Sequence, residues 1–171
     1  MPEIHSVTEQ FSVRRWHDPL VEACGFPVNS IYTETVLLPI LGPSSVLCLR
    51  RLGAWATVNP DGTLVDTRQL AGDLGLGDGM ARNSPIARTL NRLCQFEMAY
   101  WHQEELSVRT AVAPLPERQL HRLSAPVLEL HRSLVRQSEN RHSVGGHNQA
   151  KLRLLLESNE AGLSRSPGAG L

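Results

Sequence analysis

Residues 63–112 present a succession of local signals that leaves few ways to fold. A short strand, Thr63–Asp66, leads into a helix over Thr67–Leu74. Asp66 or Thr67 can cap that helix, and Leu70, Ala71 and Leu74 form its buried side. Gly75-Leu76-Gly77-Asp78-Gly79 cannot continue it, because glycine there favours a turn with positive backbone angles. Asn83 or Ser84 then caps a second helix, Ser84–Phe96, with Pro85 in the first turn where a missing N–H costs nothing. Ala99–His102 and Leu106–Arg109 alternate around Gln103-Glu104-Glu105, which predicts a hairpin spanning Met98–Thr110.

The second helix separates its residues sharply by type. Counted from Ile86 at roughly 100° per residue, Leu90 falls at about 40° and Leu93 at about 340°, one apolar stripe. Arg88 falls at about 200°, Arg92 at about 240°, Gln95 at about 180° and Asn91 near 140°, on the opposite face. Arginine grips guanine by two bonds, and Asn or Gln does the same for adenine, so this face suits base edges. A soluble helix also turns a polar face outward with no partner to read, and the helix taken alone leaves both meanings open.

The flanking segments are simpler. Residues 1–30 have no sustained period and read as an extended arm, with Arg14, Arg15 and Trp16 as its one cluster. That cluster either reaches a DNA groove or packs its tryptophan onto the domain. From Ile31 to Leu41 the pattern is helical, divided by Pro39 and stopped by Gly42-Pro43. Val46, Leu49, Leu52, Gly53 and Ala56 then repeat as a first core helix, ended by Asn59-Pro60-Asp61-Gly62. Beyond Pro114-Leu115-Pro116 come a short helix from Glu117 and a longer one capped by Ser124, with Val127, Leu130 and Leu134 as its stripe. Ser138–Asn148 reads as a loop, Gln149–Glu157 as a final leucine-bearing helix, and the last ten residues as a disordered tail.

The expected fold is mainly α with a small β-hairpin wing, a winged helix-turn-helix with additional N- and C-terminal helices. Its divisions are an arm (1–30), the winged domain (31–115), a C-terminal helical extension (116–160) and the tail (161–171). Leu70-Ala71, Leu74-Gly75-Leu76, Arg82-Asn83-Ser84-Pro85-Ile86, Arg88-Thr89-Leu90, Arg92-Leu93 and the Trp101 hairpin resemble winged helix-turn-helix DNA-binding proteins of the high-GC actinobacteria. The resemblance covers roughly residues 31–123. It implies that the 84–96 helix enters the major groove and the hairpin sits on the backbone. Winged helices also serve as protein docking modules, so the fold does not settle the role.

Charge qualifies that expectation. The 171 residues carry a formal net charge of zero, so no global field draws the protein onto nucleic acid. Residues 116–171 are locally basic, with eight Lys or Arg against five acids, and Glu104-Glu105 put acid at the hairpin tip. Any phosphate attraction must therefore be local. Lys151 is the only lysine, which a GC-rich genome explains as readily as guanidinium chemistry does.

Signals for other chemistry are weak. The glycines at 75, 77 and 79 lack the Gly-Lys-Ser/Thr of a P-loop, and Met80 stands where a dinucleotide fingerprint needs its third glycine. The seven histidines, among them His121, His131, His142 and His147, do not repeat at ligand spacing, so no metal is expected. No nucleophile signature occurs, and neither an enzyme nor a cofactor is expected. Cys24, Cys48 and Cys94 read as reduced, mostly buried thiols of a cytoplasmic protein without a membrane span.

The expected function is sequence-specific binding of double-stranded DNA, as a homodimeric transcriptional regulator. Arg88, Asn91, Arg92 and Gln95 are the expected base readers, with Arg82, Asn83, Ser84 and Arg109 on phosphates. The dimer seam is expected along the Ile31–Leu41 helix and the C-terminal helices. The alternative is an interaction module that docks replication or transcription machinery without touching DNA.

Overall fold

Phe11 and Val13 point inward from a strand, β1 (Gln10–Arg15), that lies inside the sheet. The structure, a computed structural model, describes residues 8–143. β1 pairs antiparallel with β3 (Thr63–Asp66), Gln10 opposite Asp66 and Val13 opposite Thr63. On its other side it pairs parallel with β5 (Glu105–Val108), Ser12 opposite Glu105 and Arg15 opposite Val108. β4 (Ala99–His102) completes the sheet in the order β3-β1-β5-β4. The extended arm expected over residues 1–30 is therefore corrected over its described part, residues 8–30. Alternation in Gln10-Phe11-Ser12-Val13 spans too few residues to announce a strand, and the pairing partners lie far away in sequence.

The rest of that segment is also built into the body. α1 (Pro19–Cys24) is capped by Asp18, whose carboxylate accepts from the Val21 N–H. β2 (Phe26–Pro27) pairs antiparallel with β6 (Ala111–Val112). Between α1 and β2, a Cβ on Gly25 would meet the carbonyl oxygens of Val112 and Val21 at 2.5 Å. Only glycine lets those backbones approach so closely.

A π-helical turn, Tyr32–Val36, and a short helix, α2 (Leu38–Leu41), occupy the stretch expected to be one helix. Gly42 then turns the chain at φ 81° into α3 (Pro43–Val58). Val46, Leu49, Leu52, Gly53 and Ala56 are all buried on α3, as their helical repeat predicts. α4 (Thr67–Asp73) is capped by Asp66, which accepts from the Gln69 N–H. α5 (Pro85–Gln95) is capped by Ser84 and buries Ile86, Leu90 and Leu93 completely. Phe11, Val13, Leu106 and Val108 from the sheet share one core with Leu49, Leu52, Leu90 and Leu93 from these helices.

α6 (Glu117–Leu120), the link that follows it and α7 (Ala125–Ser143) pack into that same core through Leu120, Leu123, Val127 and Leu134. The loop expected from Ser138 is corrected, because α7 continues to Ser143 and Ser138 is buried with its hydroxyl donating to the Cys24 carbonyl. α7 is tied to the π-helical turn by Tyr32, which stacks on Phe26 with ring centroids 3.9 Å apart. The Tyr32 hydroxyl accepts from the Leu115 N–H at 2.8 Å and meets His131 Nδ1 at 2.9 Å. Burial drives the Tyr32 phenol upward from its ordinary pKa. The helix and tail expected beyond Asn148 lie outside the described residues. Among the described residues no helix is long and apolar enough to cross a membrane. The molecule thus mixes helices with a small sheet, and the expected hairpin is the edge of that sheet rather than a free-standing ribbon.

Candidate nucleic-acid interface

α5 follows α4 after the turn through Gly75 and Gly77, both at positive φ, and is followed directly by the β4–β5 hairpin. Gln103 and Glu104 make the two-residue connection, since His102 pairs with Glu105. Packing of Ile86, Leu90 and Leu93 against the core fixes the rotation of α5, so the opposite face points outward. Arg88 and Gln95 are exposed on that face and Asn91 is half-buried beside them. Arg82 and Asn83 are exposed in the turn just before α5. The guanidinium groups of Arg82 and Arg88 make no ion pair or hydrogen bond among the described residues, which leaves their donors free for a ligand.

Three expected contact residues are committed elsewhere. Arg92 donates from Nε to the Leu41 carbonyl and from Nη2 to the Ile40 carbonyl, each at 2.6 Å. Its guanidinium also lies 5.1 Å from the Phe96 ring centre. It closes the C-terminal end of α2, where helix carbonyls lack partners of their own, so Arg92, although exposed, has two of its donors engaged within the fold. Arg109 donates from Nη1 to Asp18 Oδ2 at 2.8 Å and from Nε to the Glu97 carbonyl at 2.8 Å. With its guanidinium 3.8 Å from the Trp16 ring centre and its side chain 14% exposed, little of it is left to meet a phosphate. Ser84 is buried and its Oγ accepts from the Ala87 N–H at 3.3 Å, so its hydroxyl caps α5.

The Asp18–Arg109 pair is partly dry. Burial alone would raise the Asp18 pKa, but the Arg109 hydrogen bond, the Val21 N–H and the Arg109 charge outweigh it and hold the carboxyl below its usual value. Trp16 resolves the choice left open by its cluster. It packs on the domain, edge-to-face with Tyr100 at 4.8 Å and under Arg109. Arg15 pairs with Glu22 at 2.9 Å. Arg14 was read only as part of an arm, yet it reaches the hairpin tip, 3.1 Å from Glu105 Oε2, and offsets the acid there. Parallel pairing of β1 with β5 brings this about, and no sequence spacing between residues 14 and 105 reveals it.

The outward face of α5 is bordered by two hollows. Gln95 lies on the rim of a largely apolar cavity of about 370 Å³ that also touches Ile40, Phe96, Arg109 and Leu115. Arg88 lies on the rim of a smaller opening beside the start of α3. The Cys48 and Cys94 thiols offer little reactivity, since burial pushes Cys48 up to about 12 and Cys94 up to about 11. Compared with protein-family models, curated proteins and solved structures, the chain matches none.

Proposed function

We propose that the protein is a sequence-specific DNA-binding regulator of the winged helix-turn-helix kind, with α5 as the helix that enters the major groove. One observation carries the reading: a helix locked by a buried stripe presents Arg88, Asn91 and Gln95 together on its free face, preceded by α4 and followed by a hairpin. Arg88, Asn91 and Gln95 read base edges, and Arg82 and Asn83 meet the backbone at the helix start. The working form is a homodimer in the cytoplasm, so that two copies of α5 address a two-fold site.

Selection of binding sites from a random duplex pool tests this, with native protein run beside Arg88→Glu. Arg92 stays unchanged in that variant because it holds α2. A motif enriched by the native chain alone supports the reading, and Arg88→Ala should then cost about 1–3 kcal/mol at a single base position. Absence of any enriched motif at low salt overturns it. A second reading, docking to another protein, is favoured by the exposed Glu104 at the hairpin tip and by the zero net charge. It expects binding to a protein partner with no duplex retained.

A further inference from the structure

The cavity at the C-terminal end of α5 is walled by segments that are each held in place. Ile40 and Leu41 come from α2, whose last carbonyls are bonded by Arg92. Leu115 comes from the link before α6, where its N–H bonds the Tyr32 hydroxyl. Phe96, Glu97 and Met98 follow α5, with their N–H groups bonded to the carbonyls of Arg92, Cys94 and Leu93. The hollow of about 370 Å³ is therefore part of the fold, and its size and apolar walls are those of a small-molecule site.

Its charges do not cancel. Asp18, Glu97 and Arg109 are the charged residues on its border. Asp18 and Arg109 neutralise each other at 2.8 Å, whereas the Glu97 carboxylate makes no ion pair or hydrogen bond among the described residues. Arg92 lies over the Phe96 ring but borders the other opening, not this cavity. One carboxylate is thus left beside apolar walls. The side-chain amide of Gln95, on the same border, is also without a partner among the described residues.

Glu97 carries a second signal, independent of its charge. It stands at φ 57°, a left-handed conformation that glycine adopts freely and that crowds any residue with a Cβ. Its carbonyl accepts from Arg109 Nε at 2.8 Å, which holds the residue there. Strained backbone of this kind gathers at ligand sites, where it fixes the direction of a working side chain.

We propose that this cavity binds a small organic cation, an apolar body bearing a protonated amine. The body lies against Ile40, Phe96, Met98 and Leu115, the ammonium donates to the Glu97 carboxylate, and the Gln95 amide oxygen accepts a second N–H. A neutral alcohol of the same shape forgoes the charge-assisted bond, and an acid meets Glu97 as a like charge. Control of α5 by this ligand rests on the DNA-binding reading. Gln95 is a base reader there and a border residue here, so an occupied cavity withdraws it from the duplex.

Phenethylamine, phenethyl alcohol and phenylacetate share one ring and differ in charge, so titrating the full chain with each tests the site without DNA. Amide and methyl chemical shifts are followed at neutral pH against an ammonium chloride control of equal ionic strength. Saturable shifts at Phe96, Met98 and Leu115 are expected with phenethylamine in the millimolar range or tighter. Binding should be several-fold weaker for the alcohol and absent for phenylacetate. Glu97→Gln keeps the side-chain length and should reduce the amine to the affinity of the alcohol. No saturable shift at these residues in the native chain, equal affinity for the three probes, or an unchanged preference in Glu97→Gln overturns the site. Affinity for the selected duplex is then measured with and without saturating phenethylamine. Several-fold weaker duplex binding assigns the cavity to the control of α5, and unchanged affinity overturns that assignment. Because the titrations contain no DNA, failure of the cavity and failure of the regulator reading give different results.

Discussion

Arg88, Arg92 and Arg109 are chemically identical side chains with different work to do, and their partners separate them. Arg109 is enclosed by Asp18, the Glu97 carbonyl and the Trp16 ring, while Arg88 is free in solvent. Arg109→Ala strips the partner from a carboxylate that is itself largely covered. A loss of about 2–4 kcal/mol is expected, on the pattern of broken buried pairs. Arg88→Ala should stay within about 0.5 kcal/mol of the native stability, as exposed substitutions do. Urea titration of both variants checks the contrast, and a stable Arg109→Ala protein would return that residue to the list of DNA contacts. Arg14 is the converse case, a residue given no firm role by its neighbours in sequence that offsets an acidic turn across the sheet.

At the scale of elements, α5 ends in an arrangement that exposes a local strain. The Met98 N–H bonds the Leu93 carbonyl and the Glu97 N–H bonds the Cys94 carbonyl, with Glu97 at φ 57°. Glycine normally holds this position because it has no Cβ to crowd the following carbonyl. Glu97→Gly should stabilise the protein by about 1 kcal/mol, read as a raised Tm with α5 unchanged. α7 supplies a second element-level prediction. Tyr32 accepts from Leu115 and meets His131 Nδ1 at 2.9 Å, and the tautomer with an unprotonated Nδ1 lets the phenol proton complete that contact. Burial lowers the His131 pKa from the ordinary 6.5, with the Glu117 charge opposing and the Arg132 charge adding. The unfolded chain therefore takes up this proton first. Stability contributed by the contact is full above pH 6.5 and declines as pH falls below it, until the folded group protonates as well. Denaturation midpoints of native and His131→Gln proteins between pH 5 and 8 should diverge above about pH 6.5 and converge at the acid end. Parallel curves would remove His131 from the account.

For the whole molecule, the open question of partners reduces to what covers its exposed aliphatic side chains. Leu38 on α2 and Leu47 on α3 are exposed on either side of the Gly42 turn, and Ile31 is exposed just before the π-helical turn. Glu34 and Arg50, joined by an ion pair, hold these two arms together. A homodimer seam along this face would bury them, as the expected use of the 31–41 segment requires. Leu38→Glu with Leu47→Glu should then yield a monomer by sedimentation. If the native chain is itself a monomer at micromolar concentration, the two-fold arrangement fails and a single α5 must account for any specificity.

Local chemistry was legible before the structure. Glycine, proline and capping side chains act within a few residues, and helical stripes act within a few turns. For that reason Thr63–Asp66, α3, α4 and α5 appear where their residues place them, and Ile86, Leu90 and Leu93 are buried as predicted. The outward positions of Arg88, Asn91 and Gln95 follow from the same periodicity. What the chain does at long range was decided only on folding. Insertion of β1 between β3 and β5, the capture of Arg92 by α2 and of Arg109 by Asp18, and the reach of Arg14 to Glu105 all join residues far apart in sequence. Such contacts have no period to detect, because they depend on which surfaces the packed core brings together. A sequence therefore names the face of a helix, and tertiary packing decides which side chains on that face remain free to bind.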